Sequence, residues 1–124
     1  MAWTAHELEK IGNADELHVA SQRSDGSLRR YVTIWVVRDH DDLYVRSAYG
    51  RDAGWFRRAA SSGKGAIRAA GIERHVRFEE PERSVDQRLN TAYRTKYRRY
   101  GRTYIDPMVG NAAAAATFKL VRRN

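Results

Sequence analysis

Apolar residues follow two different periods along this chain, and the switches between them mark out its elements. Leu8 and Ile11 stand three apart behind Thr4 and Glu7, the S/T-x-x-E pattern of a capping box, and Gly12-Asn13 supplies a stop. A short helix is predicted within 1–14. The period then changes to two. In "ELHVASQ" (16–22), Leu17 and Val19 alternate with His18 and Ala20, which reads as a strand. "SDGS" (24–27) is an Asp-Gly hairpin turn. The partner strand, "LRRYVTIWVVR" (28–38), places Val32, Ile34 and Val36 on one face and Tyr31, Trp35 and Val37 on the other. Apolar residues on both faces predict a strand covered from both sides. "DHDD" (39–42) turns the chain into a third strand, "LYVRS" (43–47).

After Asp52, a plausible N-cap, Trp55, Phe56, Ala59 and Ala60 return to helical spacing, and "SSGKG" (61–65) ends that helix. "AIRAA" (66–70) and "IERHVRFEE" (72–80) flank Gly71 as a second hairpin, closed by Pro81. Ser84 is the expected cap of a long helix, 85–101, whose stripe is Val85, Leu89, Tyr93, Tyr97 and Tyr100. Thr117, Phe118, Leu120 and Val121 suggest a closing strand within 115–123. The order of elements predicts an α+β fold, a six-stranded, mostly antiparallel barrel with flanking helices. It would be one domain over 1–124, with a barrel core at 15–80 and a Tyr/Arg helix at 84–104.

Composition narrows the function more than the fold. Hydrophobic residues make up 42%, enough for a packed core. No apolar run reaches the roughly 20 residues of a membrane span. The opening "MAWTAHELEK" lacks the apolar segment of a signal peptide. Cysteine is absent. A cytoplasmic protein without membrane contact is expected. The net charge of +8 is uneven: residues 1–81 carry 13 basic and 12 acidic side chains, residues 82–124 carry 10 and 3. Arginine dominates the basic residues, and its planar fork grips phosphate and carboxylate; a GC-rich genome would give the same bias. His6, His18, His40 and His75 lie in no metal-ligand spacing, so no metal is expected. Nucleophile elbow, P-loop and dinucleotide fingerprint are all missing. An enzyme built from these residues would rely on a cofactor for its chemistry.

Three stretches carry candidate chemistry. In "RSDGSLRR" (23–30), Arg23, Ser24, Arg29 and Arg30 flank a turn whose backbone amides and cations suit a phosphate; an exposed, solubilising hairpin tip has the same composition. In "YVRSAYGRDAGWFRR" (44–58), Arg46 and Ser47 close a strand, Gly50 permits a bend, and Arg51 precedes a helix start that favours anions. Trp55, one turn in, would pack in the core or on a ring-shaped ligand. In "YRTKYRRYGRTY" (93–104), Arg94, Arg98 and Arg102 repeat every four residues beside the tyrosines. Such interleaving suits nucleic acid, and equally a helix with tyrosines on the sheet and arginines in water.

The layout "ASQRSDGSLRRYVTIWVVRDHDDLYVRSAYGRDAGWFRR" resembles the core of the flavin- and deazaflavin-binding split β-barrel superfamily, which includes pyridoxamine-phosphate oxidases and deazaflavin-dependent nitroreductases. Within it, the chain resembles a family of small bacterial proteins. The match covers roughly residues 15–79 and the N-terminal helix. The resemblance implies a six-stranded split barrel, a homodimer with ligand at the interface, and hydride transfer to or from a small organic substrate. The cofactor would be flavin mononucleotide or 8-hydroxy-5-deazaflavin, unless this member has lost it. Arg23, Ser24, Gly26 and Arg29 match the phosphate-binding turn. Ser47 and Gly50 match the loop near the ring, and Trp55 the helix start. Arg46 and Arg51 would border the ring, and Tyr49 is placed to donate a proton. Asp25 departs from the pattern by setting a negative charge beside the phosphate. A cofactor-less relative using the same pocket for a small ligand or a non-redox reaction is the alternative, and a nucleic-acid-binding barrel a further one.

Overall fold

The computed structural model describes residues 2–124. Five helices and seven strands follow in the order α1 (Ala5–Asn13), β1 (Leu17–Ser21), β2 (Val32–Ile34), β3 (Val37–Asp39), β4 (Asp42–Arg46), α2 (Gly54–Ser62), β5 (Lys64–Ala69), β6 (Ile72–Glu79), α3 (Asp86–Lys96), α4 (Arg102–Val109), α5 (Asn111–Ala115) and β7 (Thr117–Arg122). Single 3₁₀ turns lie at Gly50–Asp52, Arg83–Val85 and Arg98–Tyr100. All seven strands form one sheet in the order β2-β1-β5-β6-β7-β4-β3, and every neighbouring pair is antiparallel. The α+β antiparallel architecture is as expected, with seven strands where six were predicted.

The extra strand comes from a break in the segment 28–38. β2 and β3 are separated only by Trp35 and Val36, yet they occupy opposite edges of the sheet. In a flat sheet those edges would lie about 29 Å apart, six spacings of roughly 4.8 Å. Three residues of chain reach at most about 11 Å. The sheet therefore curls until its two edges nearly meet, forming an open barrel.

Both faces of this joint are packed, as the apolar pattern predicted. Val36 belongs to the barrel interior with Leu17, Val19, Leu43, Val45, Ile67 and Phe118. Val37 and Trp35 face outward onto a second cluster built on α3 and α4, with Leu89, Tyr93, Tyr97 and Met108. Trp35 stacks on Tyr97 at 3.8 Å, nearly parallel. The Tyr97 hydroxyl accepts from the Val36 amide (3.1 Å) and lies 2.8 Å from the Asp15 carbonyl, to which it donates. Lys96 Nζ donates to the Val36 carbonyl at 2.6 Å. Backbone groups that the strand break removes from the ladder are thus satisfied by the last residue of α3 and the one that caps it.

Local signals explain most boundaries. Thr4 and Glu7 form the expected reciprocal capping box. The β3–β4 and β5–β6 turns place His40, Ala70 and Gly71 at positive φ. Gly65 is required by proximity: a Cβ there would stand 2.0 Å from the Ala20 carbonyl oxygen across the β1–β5 pair. Other expectations need correction. Asp52 does not cap α2, because a 3₁₀ turn intervenes and the cap falls on Ala53, without a side-chain bond. Ser84 lies inside the 3₁₀ turn before α3 and does not cap it. The helix expected over 85–101 is regular only to Lys96, and Gly101 (φ 84°) turns the chain into α4. Helices α4 and α5 were not anticipated. No helix is long and apolar enough to cross a membrane among the described residues.

Replacing Tyr97 with Phe strands the Val36 amide and is expected to cost about 1–3 kcal/mol in denaturant unfolding. Gly65→Ala should destabilise more, since backbone must move to admit the methyl. Desolvation lowers the Lys96 pKa to about 8, so the folded state binds fewer protons than the unfolded one between about pH 8 and the ordinary lysine value. Stability should rise with pH across that window. It should fall again above about pH 10, because burial raises Tyr93 and Tyr97 and their contribution is lost as unfolded tyrosines ionise. Thermal unfolding from pH 7 to 11 would show this maximum, and Lys96→Met would remove its rising limb.

Candidate functional site

Two clefts lie side by side along the seam between α2 and the β1–β2 hairpin. The first, about 560 Å³, is cationic. Arg23, Ser24 and Arg29 of the hairpin line it, joined by Arg57 and Arg58 of α2 and by Lys64 at the start of β5. Arg23 is partly committed, since its Nη1 donates to the Leu28 carbonyl (2.9 Å). Arg29, Arg57, Arg58 and Lys64 have no carboxylate partner among the described residues. The acid that threatened this turn is absorbed locally. Asp25 accepts from the Ser27 hydroxyl (2.7 Å) and amide (2.9 Å), bonds that hold its carboxyl below the usual range. It does not line the cleft. Gly26 (φ 91°) allows the turn to close, its amide donating to the Arg23 carbonyl.

The second cleft, about 430 Å³, is largely apolar. Trp35, Trp55, Tyr49 and Tyr104 wall it together with Val32 and Met108. A small third recess lies between them, sharing Arg58 with the cationic cleft and Val32 and Trp55 with the aromatic one. Helix periodicity produces this arrangement. Phe56 and Ala59 point into the barrel, while Trp55, Arg58 and Ser61–Ser62 follow at three- to four-residue steps along the other face. One helix therefore offers a ring at one end and cations at the other. That 55–58–61 spacing was present in the sequence and would have added Arg58 to the predicted set, whereas Arg57 and Lys64 are brought to the cleft by the fold.

The remaining predicted residues serve the frame. Arg46 is 1% exposed, and all three guanidinium nitrogens are engaged. Nε donates to Thr117 Oγ1 (3.0 Å), Nη1 to Asn90 Oδ1 and the Met108 carbonyl (3.0 Å), and Nη2 to the Asp86 carbonyl (3.3 Å). It lines the floor of the aromatic cleft, with four of its five N–H groups already spent within the fold. Ser47 is buried, with its amide bonded to the Ala116 carbonyl. Gly50 (φ 78°) packs on Ala112 of α5. Arg51 pairs with Glu80 (2.7 Å), donates to the Ala115 carbonyl and covers Phe56. None of these three lines either cleft. Tyr49, 87% exposed, stands at the mouth.

The sequence matches the profile of DUF2255, uncharacterized proteins conserved in bacteria, over residues 7–120. The chain belongs to that family. No curated protein sequence matches it. Solved structures with the same fold include a FAD-binding protein from Mesorhizobium loti (17% identity, covering 100% of this chain and 93% of that one, TM-score 0.57). A candidate pyridoxamine 5′-phosphate oxidase from Listeria innocua is similar as well (13%, 94% and 90%, 0.60). So is a candidate 5-nitroimidazole antibiotic resistance protein from Bacteroides thetaiotaomicron (16%, 100% and 83%, 0.57). These structures share the fold that the sequence resemblance implied.

Removing the Arg46 side chain would leave the Asn90, Met108 and Thr117 acceptors buried and unpaired. Arg46→Ala is expected to cost about 3–5 kcal/mol by denaturant unfolding, whereas Arg51→Ala, on a half-exposed pair, should cost about 1 kcal/mol or less.

Proposed function

We propose that the protein is an oxidoreductase dependent on a flavin or deazaflavin, which lies along the α2 seam with its ring in the aromatic cleft and its phosphate in the cationic one. The observation that carries this reading is the placement of the two clefts on either side of Arg58 and Trp55. Uncommitted cations and a ring-sized aromatic recess flank one small hollow lined by both residues. The likeness in fold to a FAD-binding protein and to a candidate pyridoxamine 5′-phosphate oxidase supports it. When bound, such a cofactor exchanges a hydride with a small organic substrate.

The chain's own residues then hold and orient. Arg23, Ser24 and Arg29, with Arg57, Arg58 and Lys64, take the anionic end through charge-assisted hydrogen bonds, and Gly26 keeps the turn closed. Trp55 and Trp35 flank the ring. The cleft's five cations exceed what one phosphate needs, which favours 8-hydroxy-5-deazaflavin with an acidic tail over flavin mononucleotide. Tyr49 is assigned as proton donor to the reduced product. With Tyr49 and Tyr104 (64% exposed) at the mouth, a homodimer in which a second copy covers the recess would exclude water from the reaction.

Absorbance and fluorescence titrations with flavin mononucleotide and with 8-hydroxy-5-deazaflavin cofactor test the reading. Saturable binding is expected, weakened at least about tenfold by Arg57→Ala/Arg58→Ala, a loss of roughly 1.4 kcal/mol or more, and also by Trp55→Ala. Arg51→Ala should leave it unchanged. A protein that binds neither compound would sink the assignment and leave a cofactor-less use of the same recess.

A further inference from the structure

A third concavity, about 440 Å³, lies between the end of α3 and the start of α4 and shares no residue with the two clefts of the candidate site. Arg94, Arg98 and Arg102 line it, with Thr95, Gly101 and Asp106. The tyrosine stripe beside them is mostly core: Tyr93 and Tyr97 are fully buried. The arginines are consequently driven outward, four residues apart. Arg94 and Arg98 have neither a carboxylate partner nor a side-chain hydrogen bond among the described residues. Arg102 has only a loose contact with Asp106, at 3.7 Å and largely in water. Arg99, by contrast, turns away and is taken by Asp15.

Three like charges gathered around one groove repel one another, and beyond the loose Arg102–Asp106 contact no internal partner compensates. Residues 82–124, which hold this groove, also carry the chain's charge excess. Everything from Arg98 to Tyr104 is exposed, but the tyrosines there face elsewhere: Tyr100 packs on Trp35 under Arg99 and Tyr104 walls the aromatic cleft, so the groove is left to the arginines. We propose that this groove binds single-stranded nucleic acid, with Arg94, Arg98 and Arg102 on successive phosphates. Guanidinium forks fit phosphate oxygens in pairs, and a line of three suits a repeating phosphodiester better than a single anion. A flexible single strand can bend its phosphates into a concavity of this size, which a stiff duplex cannot enter.

The test is fluorescence anisotropy with a labelled oligothymidylate of about 15 nucleotides, at about 50 mM and 200 mM salt. Two triple variants remove the same charge: Arg94→Gln/Arg98→Gln/Arg102→Gln in this groove, and Arg57→Gln/Arg58→Gln/Lys64→Gln in the cationic cleft. The first should weaken binding at least about tenfold and lower the salt slope by about 2. The second should weaken it less than about threefold. All six side chains are on the surface, and circular dichroism confirms that each variant is folded; Arg98→Glu alone gives the same direction of change if a triple is not. Equal losses in both triples would reduce the effect to net charge and overturn the proposal. So would absence of saturable binding at the lower salt, or displacement of the oligonucleotide by polyglutamate as readily as by unlabelled strand, which would point to an acidic protein instead.

Discussion

A two-residue link between the outermost strands dictates the shape of this protein. Because Trp35-Val36 joins β2 to β3, the sheet has to close on itself, and everything else answers to that closure. A link this short cannot continue either ladder, so its backbone needs partners from elsewhere. The end of α3 supplies them through Tyr97 and Lys96, and the Trp35–Tyr97 stack fixes the helix against the seam. The aromatic cleft opens beside this seam because Trp35 and Val32 sit where the two edges fail to meet.

A second anchor lies opposite. Arg46 leaves the end of β4 and reaches β7, α3 and α4 through its hydrogen bonds. Burying a guanidinium is costly unless its donors are used, and here four of its five N–H groups are. The arrangement keeps the α3–α4 layer in register with the barrel and so sets where Tyr104 and Met108 meet the cleft. It also shows how a cation in a promising stretch can belong wholly to the framework. Arg51 makes the same point more weakly, clamped between Glu80, Ala115 and Phe56.

The candidate site follows from the way α2 lies across the barrel. Its inner face needs Phe56 and Ala59 for the core, which leaves the outer stripe free to carry Trp55 and Arg58. The hairpin after β1 brings Arg23 and Arg29 to the same place, while Ser27 keeps Asp25 occupied. Like charges gather there without internal neutralisation, as they do separately between α3 and α4. Arginines left unpaired at two distant places explain why the chain is strongly basic although most of its acids are paired.

Period and punctuation determined the hairpins, α1, the inner and outer faces of 31–37, the burial of Val85, Leu89, Tyr93 and Tyr97, and the phosphate-suited turn at 23–29. These depend on neighbours in sequence, where side-chain alternation and turn chemistry act directly. Tertiary structure decided that 28–38 breaks into two edge strands, since barrel closure is a property of the whole sheet. It decided that 102–115 becomes two helices, because a poly-alanine stretch gains its face only by packing on Gly50 and the α3 layer. It also sorted the arginines. Whether a guanidinium is spent inside or left free depends on which carbonyls and carboxylates arrive from distant parts of the chain, and no local pattern encodes their arrival.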